Sequence, residues 1–373
     1  MIYLDHAAST PVRREVLEAM WPYLTGEFGN PSSHHTVGES AALALADARA
    51  SIATHLGVRP AELIFTSGGT ESDNLAVKGI VLASTRGRHV ITSAIEHEAI
   101  LESVDYLVRH HGATATVLPV DEEGLVSSTA LSEAIRSDTA LVSIQHANNE
   151  VGVVQDIASL AAVARSAGVP FHTDAVQSAG WLPLSGLGVD ALTLAGHKLG
   201  TPKGVGLLYV RSGLRLEPLL HGGGQERGRR SGTENVAAAV GLSAGLSLAH
   251  SSPGPLRDAL IDGVLAAVPS AFVTGSRLSR LPNHASFCFP GTSGEAVLLE
   301  LERHGIVCSS GSACAAGSDE PSPVLLALGI DAAVAQTAVR FTLDGTTTSN
   351  QVSEVIERVA DAVATVGGLS TPR

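Results

Sequence analysis

Short apolar runs rich in β-branched residues alternate with longer stretches whose apolar positions recur at helical spacing. The runs Glu62–Thr66, Arg88–Ser93, Ala115–Pro119, Ala140–Gln145, Pro170–Thr173, Ala191–Ala195 and Val205–Val210 read as strands. Helices are predicted at Ser40–Leu56, Ser72–Leu82, Glu98–His111, Ser128–Ser137, Ile157–Ala167 and Asn235–Ala249. Such alternation predicts a mainly parallel sheet covered on both faces, with ligands outside the carboxyl ends of its strands. After the turn-rich break His250–Pro255 the pattern becomes α+β. Helices are expected at Leu256–Val268, Gly294–His304, Ser322–Leu328 and Ser349–Val366, strands at Ala285–Phe289 and Ala338–Thr342, and a loose tail from Gly367.

The 373 residues suit one large unit and a smaller one, and 44% hydrophobic content excludes a disordered chain. A formal charge of −13 argues against a nucleic-acid or anionic-membrane footprint. Three cysteines, Cys288, Cys308 and Cys314, make no disulfide framework and suit a reducing compartment. The start of the chain has no signal-peptide pattern and no apolar run is long enough to span a membrane, so a cytoplasmic protein is expected.

Lysine is scarce: Lys78, Lys198 and Lys203 are the only three. Lys198 follows an apolar strand and precedes a tight turn, where desolvation favours a neutral, nucleophilic amine. Lys78 on a helix and Lys203 between Pro and Gly are expected in solvent. Phe65–Ser72 runs a strand through Gly68–Gly69 into a helix, a place for a phosphate or a plain N-capped turn. Asp174 ends an apolar strand and needs a cation, or serves as a cap. The segment Cys308–Ser318 consists of small Cys, Ser, Ala and Gly residues, able to swing a thiol between two sites. Within it Cys308 reads as a small buried hydrophobe, while Cys314 is harder to explain as packing. Spacing disfavours zinc, and His34–His35 and His110–His111 read as surface or local hydrogen-bonding residues.

Together, Thr66–Asn74, Asn148–Glu150, Asp174–Gln177, Gly196–Lys198, Arg230–Thr233 and Ser309–Cys314 resemble the cysteine desulfurases of the NifS/IscS type. These belong to the class V aminotransferase family, and the likeness runs from Tyr3–Ala8 to Val339–Phe341. It implies an α/β chain of the pyridoxal-phosphate-dependent transferase fold type I. A large cofactor-binding domain with a mainly parallel seven-stranded sheet would span 13–250. A small α+β domain, 1–12 with 251–373, would carry the cysteine loop at about 308–320.

The resemblance also implies roles. Lys198 would bind pyridoxal phosphate as an imine, Asp174 would pair with the ring nitrogen and Gln177 with the ring hydroxyl. His97 would stack on the ring and assist proton transfer. Gly69, Thr70 and His197 would hold the phosphate, with Thr233 reaching the phosphate of a neighbouring subunit in a homodimer. Asn149, beside the ring, would join Asn30 and Arg340 on the substrate carboxylate. Lys198 would move the α-proton of L-cysteine. Cys314 would then take the sulfur as a persulfide, leaving alanine, and deliver it to an iron–sulfur scaffold or a tRNA thiolation enzyme. No resident metal is implied; an iron–sulfur contact through Cys314 would be transient. Selenocysteine lyase, cysteine sulfinate desulfinase and a non-catalytic sulfur relay are the alternatives. The chain departs from the family pattern at Ala195, where a Ser usually adds a phosphate hydrogen bond, and at Leu343–Asp344–Gly345, where Leu-Gly-Arg is frequent. Its C-terminus is also shorter than in the longer members.

Overall fold

The computed structural model describes residues 1–248, 251–310 and 320–369. Cys314 therefore lies outside the described residues, as do Ala249, His250 and residues 370–373 of the expected tail.

The first half alternates elements: β1 (Ile2–Tyr3), α1 (Arg14–Thr25), α2 (Thr36–Leu56), β2 (Leu63–Thr66), α3 (Gly69–Ala83), β3 (His89–Ser93), α4 (Glu98–His111), β4 (Thr114–Leu118), α5 (Ser128–Ala134), β5 (Thr139–Ser143), α6 (Ile157–Ser166), β6 (Phe171–Asp174), β7 (Ala191–Ala195), β8 (Gly206–Val210) and α7 (Val236–Ser247). There follow α8 (Gly254–Ala267), β9 (Phe272–Val273), β10 (His284–Cys288), α9 (Gly294–Arg303), β11 (Ile306–Val307), α10 (Pro323–Ala327), α11 (Ala332–Ala335), β12 (Ala338–Thr342) and α12 (Ser349–Leu369).

Seven strands form one sheet in the order β2-β8-β7-β6-β5-β3-β4. Every pairing is parallel except those of β8, which runs against both β7 and β2. β6, β7 and β5 are buried along their whole length, as expected for strands covered on both faces. One core, including Ile91, Val142, Phe171 and Leu194, fills one side; a second, including Ile80, Ile100 and Leu208, lies under α3 and α4. Helix α4 buries Ile100, Val104 and Leu107, the spacing of a single apolar stripe. β10 pairs antiparallel with β9 and β12, and this smaller sheet has its own core around Phe287, Phe289, Phe341 and Val359. Ile2 and Leu4 join that core, because β1 pairs with β11.

Some boundaries differ from the sequence pattern. α1 is an additional helix; it buries only Val16 and Met20 and contains Pro22, so its stripe is narrow. α2 starts at Thr36 because His35 Nδ1 accepts the Gly38 amide at 3.2 Å. α5 ends at Ala134, and α12 continues through Gly367 and Gly368. α3 starts three residues earlier than expected, at Gly69, which puts Gly69 and Thr70 in its first turn. Gly206 on β8 is required there, since a Cβ would fall 2.5 Å from the Gly68 backbone.

Arg49 on α2 and Glu226 form a buried bidentate pair, with Nη2–Oε1 at 2.6 Å and Nη1–Oε2 at 2.9 Å. Glu226 also accepts the Phe65 amide at 3.3 Å, tying β2 to the turn after β8. Glu226→Ala strands the guanidinium in the interior. We expect a loss of about 3–5 kcal/mol, read as a lower denaturation midpoint at fixed protein concentration. A loss under about 1 kcal/mol would show that the pair is not a structural tie.

Candidate active site

The carboxyl ends of β6 and β7, the start of α3 and the first residues of the chain enclose a cavity of about 430 Å³. It is lined by Gly69, Thr70, His97, Asn149, Asp174, Gln177, His197, Lys198 and Arg340. Nine of the residues singled out by sequence thus meet in one place.

Lys198 follows β7 and points its Nζ at the N-terminal segment, donating to Ala8 O at 2.8 Å and to Ala7 O. That segment is strapped down: Thr10 N and Oγ1 donate to His197 O, and Gln177 Nε2 donates to Ala7 O at 3.0 Å. Of the other lysines, Lys203 is exposed and Lys78 is half-buried, bonded to Asn74 at 2.6 Å and lying over the Tyr106 ring.

Asp174, at the end of β6, is buried, and burial raises its pKa. Its Oδ1 accepts the Val176 amide at 2.8 Å and closes a turn; no helix follows for it to cap. Among the described residues it has no ion-pair partner, so a cationic group in the cavity would meet a carboxylate ready for it. His197 is held neutral, its pKa lowered to about 4, chiefly by burial. His97 caps α4, accepting the Ala99 amide at 3.0 Å, with its ring lining the cavity.

The first turn of α3 presents amides without intrahelical acceptors to the same space. A Cβ on Gly69 would lie 3.0 Å from Val176 and 3.3 Å from Ala195, so a side chain here would need both neighbours to give by a few tenths of an ångström. Ala195 is buried beside it and offers a methyl where a hydroxyl would add a bond. An aldehyde-reactive lysine, a buried carboxylate and a helix-start anion cradle match the three functional ends of pyridoxal phosphate. The residues present fit that cofactor.

Arg340 on β12 is buried, donating Nη2 to Asp5 at 2.6 Å and Nη1 to Asn149 O at 2.9 Å. The fork is thus oriented at one end of the cavity.

Asn30 is not brought here, and Thr233, expected at the phosphate of a neighbouring subunit, also lies outside this cavity. Asn30 is exposed, its Oδ1 closing a local turn by accepting the Ser32 amide at 2.9 Å. Thr233 is exposed and lines a separate cavity with Thr66, Ser67, Glu226 and Arg230. Cys308, by contrast, packs partly buried against the small-sheet core, and burial raises its thiol pKa. His110 and His111 end α4 against Tyr106, as local surface contacts.

Five acids that sequence reasoning did not assign also line the cavity: Asp73 on α3, Glu96 before α4, Glu98, Glu150 and Glu320; of these Asp73 and Glu96 are buried. Asp73 stands in the polar run Thr70–Asn74 and Glu96 in Glu96-His97-Glu98, so neither left a local signal.

The family described as Aminotransferase class-V matches residues 2–355. The chain is 44% identical to "Cysteine desulfurase IscS" of Dictyoglomus turgidum, over 98% of this chain and 96% of that one. This chain is a member of the class-V aminotransferase family, of the NifS/IscS cysteine desulfurase type. Among solved structures, "NIFS-LIKE PROTEIN" superposes with a TM-score of 0.90 at 36% identity, covering 98% of this chain and 99% of that one. "SspA in complex with cysteine" gives 0.84 at 38%, covering 93% and 100%. As a desulfurase of this type the chain has the family's α/β fold, and the cavity lies where its mostly parallel sheet ends.

Proposed function

We propose that this desulfurase works with pyridoxal phosphate held by Lys198 and passes the sulfur of L-cysteine to Cys314. The observation that carries the reading is the convergence of Lys198, Asp174, the Gly69–Thr70 turn and Arg340 on one cavity. Bound there, pyridoxal phosphate supplies an aldehyde for the substrate amine and an electron-withdrawing ring.

The protein's part follows from its side chains. Arg340, pre-oriented by Asp5 and Asn149, receives the substrate carboxylate. Asp174 keeps a negative charge against the ring nitrogen. Lys198 Nζ, its place on the cofactor taken by the substrate amine, would accept the substrate α-proton and hold it on its own nitrogen for return. His97, at the cavity wall, is placed to shuttle protons to the leaving groups. The thiolate of Cys314 attacks the substrate sulfur; a sulfur–sulfur bond forms, the carbon–sulfur bond breaks, and alanine leaves after protonation.

Further parts of the reading are a homodimer, in which Thr233 reaches the partner's cofactor phosphate, and a division into 13–250 and 1–12 plus 251–373. The separate cores of the two sheets support that division. A sulfur-accepting protein, an iron–sulfur scaffold or a thiolation enzyme, completes the cycle. No described helix is long and apolar enough to cross a membrane. The reading takes the cytoplasm as the place of work.

Mass spectrometry of the holoenzyme after L-cysteine, without reductant, tests the central step. The Cys314 peptide is expected to gain one sulfur atom, in step with alanine release. Alanine formed with the added sulfur on Cys308, or on neither cysteine, would refute the assignment.

A further inference from the structure

The floor of the cavity holds more acid than its chemistry uses. Asp73, Glu96 and Asp174 all line it, and all three are buried. The charged or titratable groups facing them from the packed elements are Lys198, His97 and His172. His172 lies two residues before Asp174 on β6, on the same face of the sheet. Both its ring nitrogens are engaged by hydroxyls, Nδ1 with Ser143 Oγ at 2.9 Å and Nε2 with Thr193 Oγ1 at 3.0 Å. Burial holds it neutral, with a pKa of about 3. It therefore gives Asp73, whose Oδ1 lies 3.8 Å from Nε2, no cationic partner.

Asp73 itself is 2% exposed, and its Oδ1 is buried with no hydrogen-bond partner. Glu96 differs. It accepts the Ser93 hydroxyl at 2.5 Å and the Gln145 amide at 2.9 and 3.0 Å, so its oxygens are satisfied. A buried carboxylate with an unsatisfied oxygen, close to a second carboxylate, is costly as an anion and much less so as an acid. Thr193, in register with Asp174 across β6 and β7, hydrogen-bonds the Asp73 side chain, which favours the anion but is outweighed by burial and the nearby Asp174.

We propose that Asp73 is a positioning residue that stays protonated beneath Asp174, so that the floor presents a single negative charge, on Asp174, to the ring nitrogen of the cofactor. This rests on the cofactor reading above. A second anion at Asp73 would share the attraction to the ring nitrogen and raise the proton affinity of Asp174. A neutral Asp73 leaves Asp174 as the one anion under the ring. Burial raises the pKa of both acids, and that of Glu96 to about 8, which agrees with a floor that keeps most of its protons.

Infrared difference spectroscopy on protein carrying carboxyl-labelled aspartate tests this without turnover. Near neutral pH the apoprotein should show the carbonyl stretch of a protonated, labelled carboxylic acid. The band should persist after loading with pyridoxal phosphate and vanish in Asp73→Asn. In the loaded protein, Asp73→Asn should leave the pH midpoint of the cofactor's visible band within about half a unit of wild type, because Asn copies a neutral acid. An ionised Asp73 would instead lower that midpoint by about one unit or more, since a negative charge near the protonated imine would be lost. That fall, or the absence of the protonated-acid band from wild type, overturns the proposal. If Asp73→Asn does not fold, the labelled wild type decides: a band that disappears on loading refutes it and one that persists supports it. Failure to bind any pyridoxal phosphate would sink the cofactor reading instead, and is seen separately in the visible spectrum.

Discussion

Lys198→Ala will yield a folded protein without the visible band of a cofactor imine, and sulfide release will fall by at least about 10³-fold. Two losses combine in that number. The covalent anchor disappears, and so does the only lysine amine in the cavity, since Lys78 is bonded to Asn74 and Lys203 is in solvent. The fold should survive, because the Nζ contacts are to two backbone carbonyls, Ala7 and Ala8, which water can reach once the chain shortens. Absorbance after dialysis against pyridoxal phosphate and a sulfide assay with L-cysteine check both parts. A variant that keeps the imine band would move the anchor to another amine.

Cys314→Ala separates binding from sulfur transfer. Cysteine should still perturb the cofactor spectrum, because Arg340, Asn149 and the ring site are untouched. Sulfide and alanine should both fall by at least about 10³-fold, since the nucleophile for the substrate sulfur is gone. Cys308 is a poor substitute. Its side chain packs against the core of the small sheet and burial keeps its thiol protonated. Cys288 is worse placed still, fully buried on β10 with its pKa raised to about 11. Undiminished turnover in Cys314→Ala would require another group to take the sulfur.

The sheet was legible because its central strands are buried on both faces and so read as apolar runs bounded by turn residues; only the edge strand β4 is largely exposed among the seven. Direction was not: Gly206–Val210 carries the same kind of pattern as its parallel neighbours yet runs against them. The two-residue strands β1, β9 and β11 are too short to leave any periodicity. Helix α1 escaped because two buried residues and an internal proline do not make a stripe. At the site, Lys198, Asp174 and the Gly69 turn were found from local chemistry, since each is unusual where it stands. Asp73 and Glu96 were not, because a lone acid in a helix or turn most often faces water, and only the folded sheet shows what they face. Asn30 and Thr233 rested on resemblance alone. The Asn30 carboxamide turns back on its own loop, and Thr233, expected to act across a dimer, lines a separate cavity.

The opening ten residues join the two halves of the molecule. Ile2 and Tyr3 pair with Ile306 and Val307, Asp5 bridges to Thr342, and Ala7 N donates to Thr342 Oγ1 at 2.9 Å. Farther on, Ala7, Ala8 and Thr10 brace Lys198 and His197. These residues are synthesised well before their docking partners at 306, 307 and 342. The segment must therefore wait, unpaired, until those distant strands have been made and folded, so its seating is a late event of maturation.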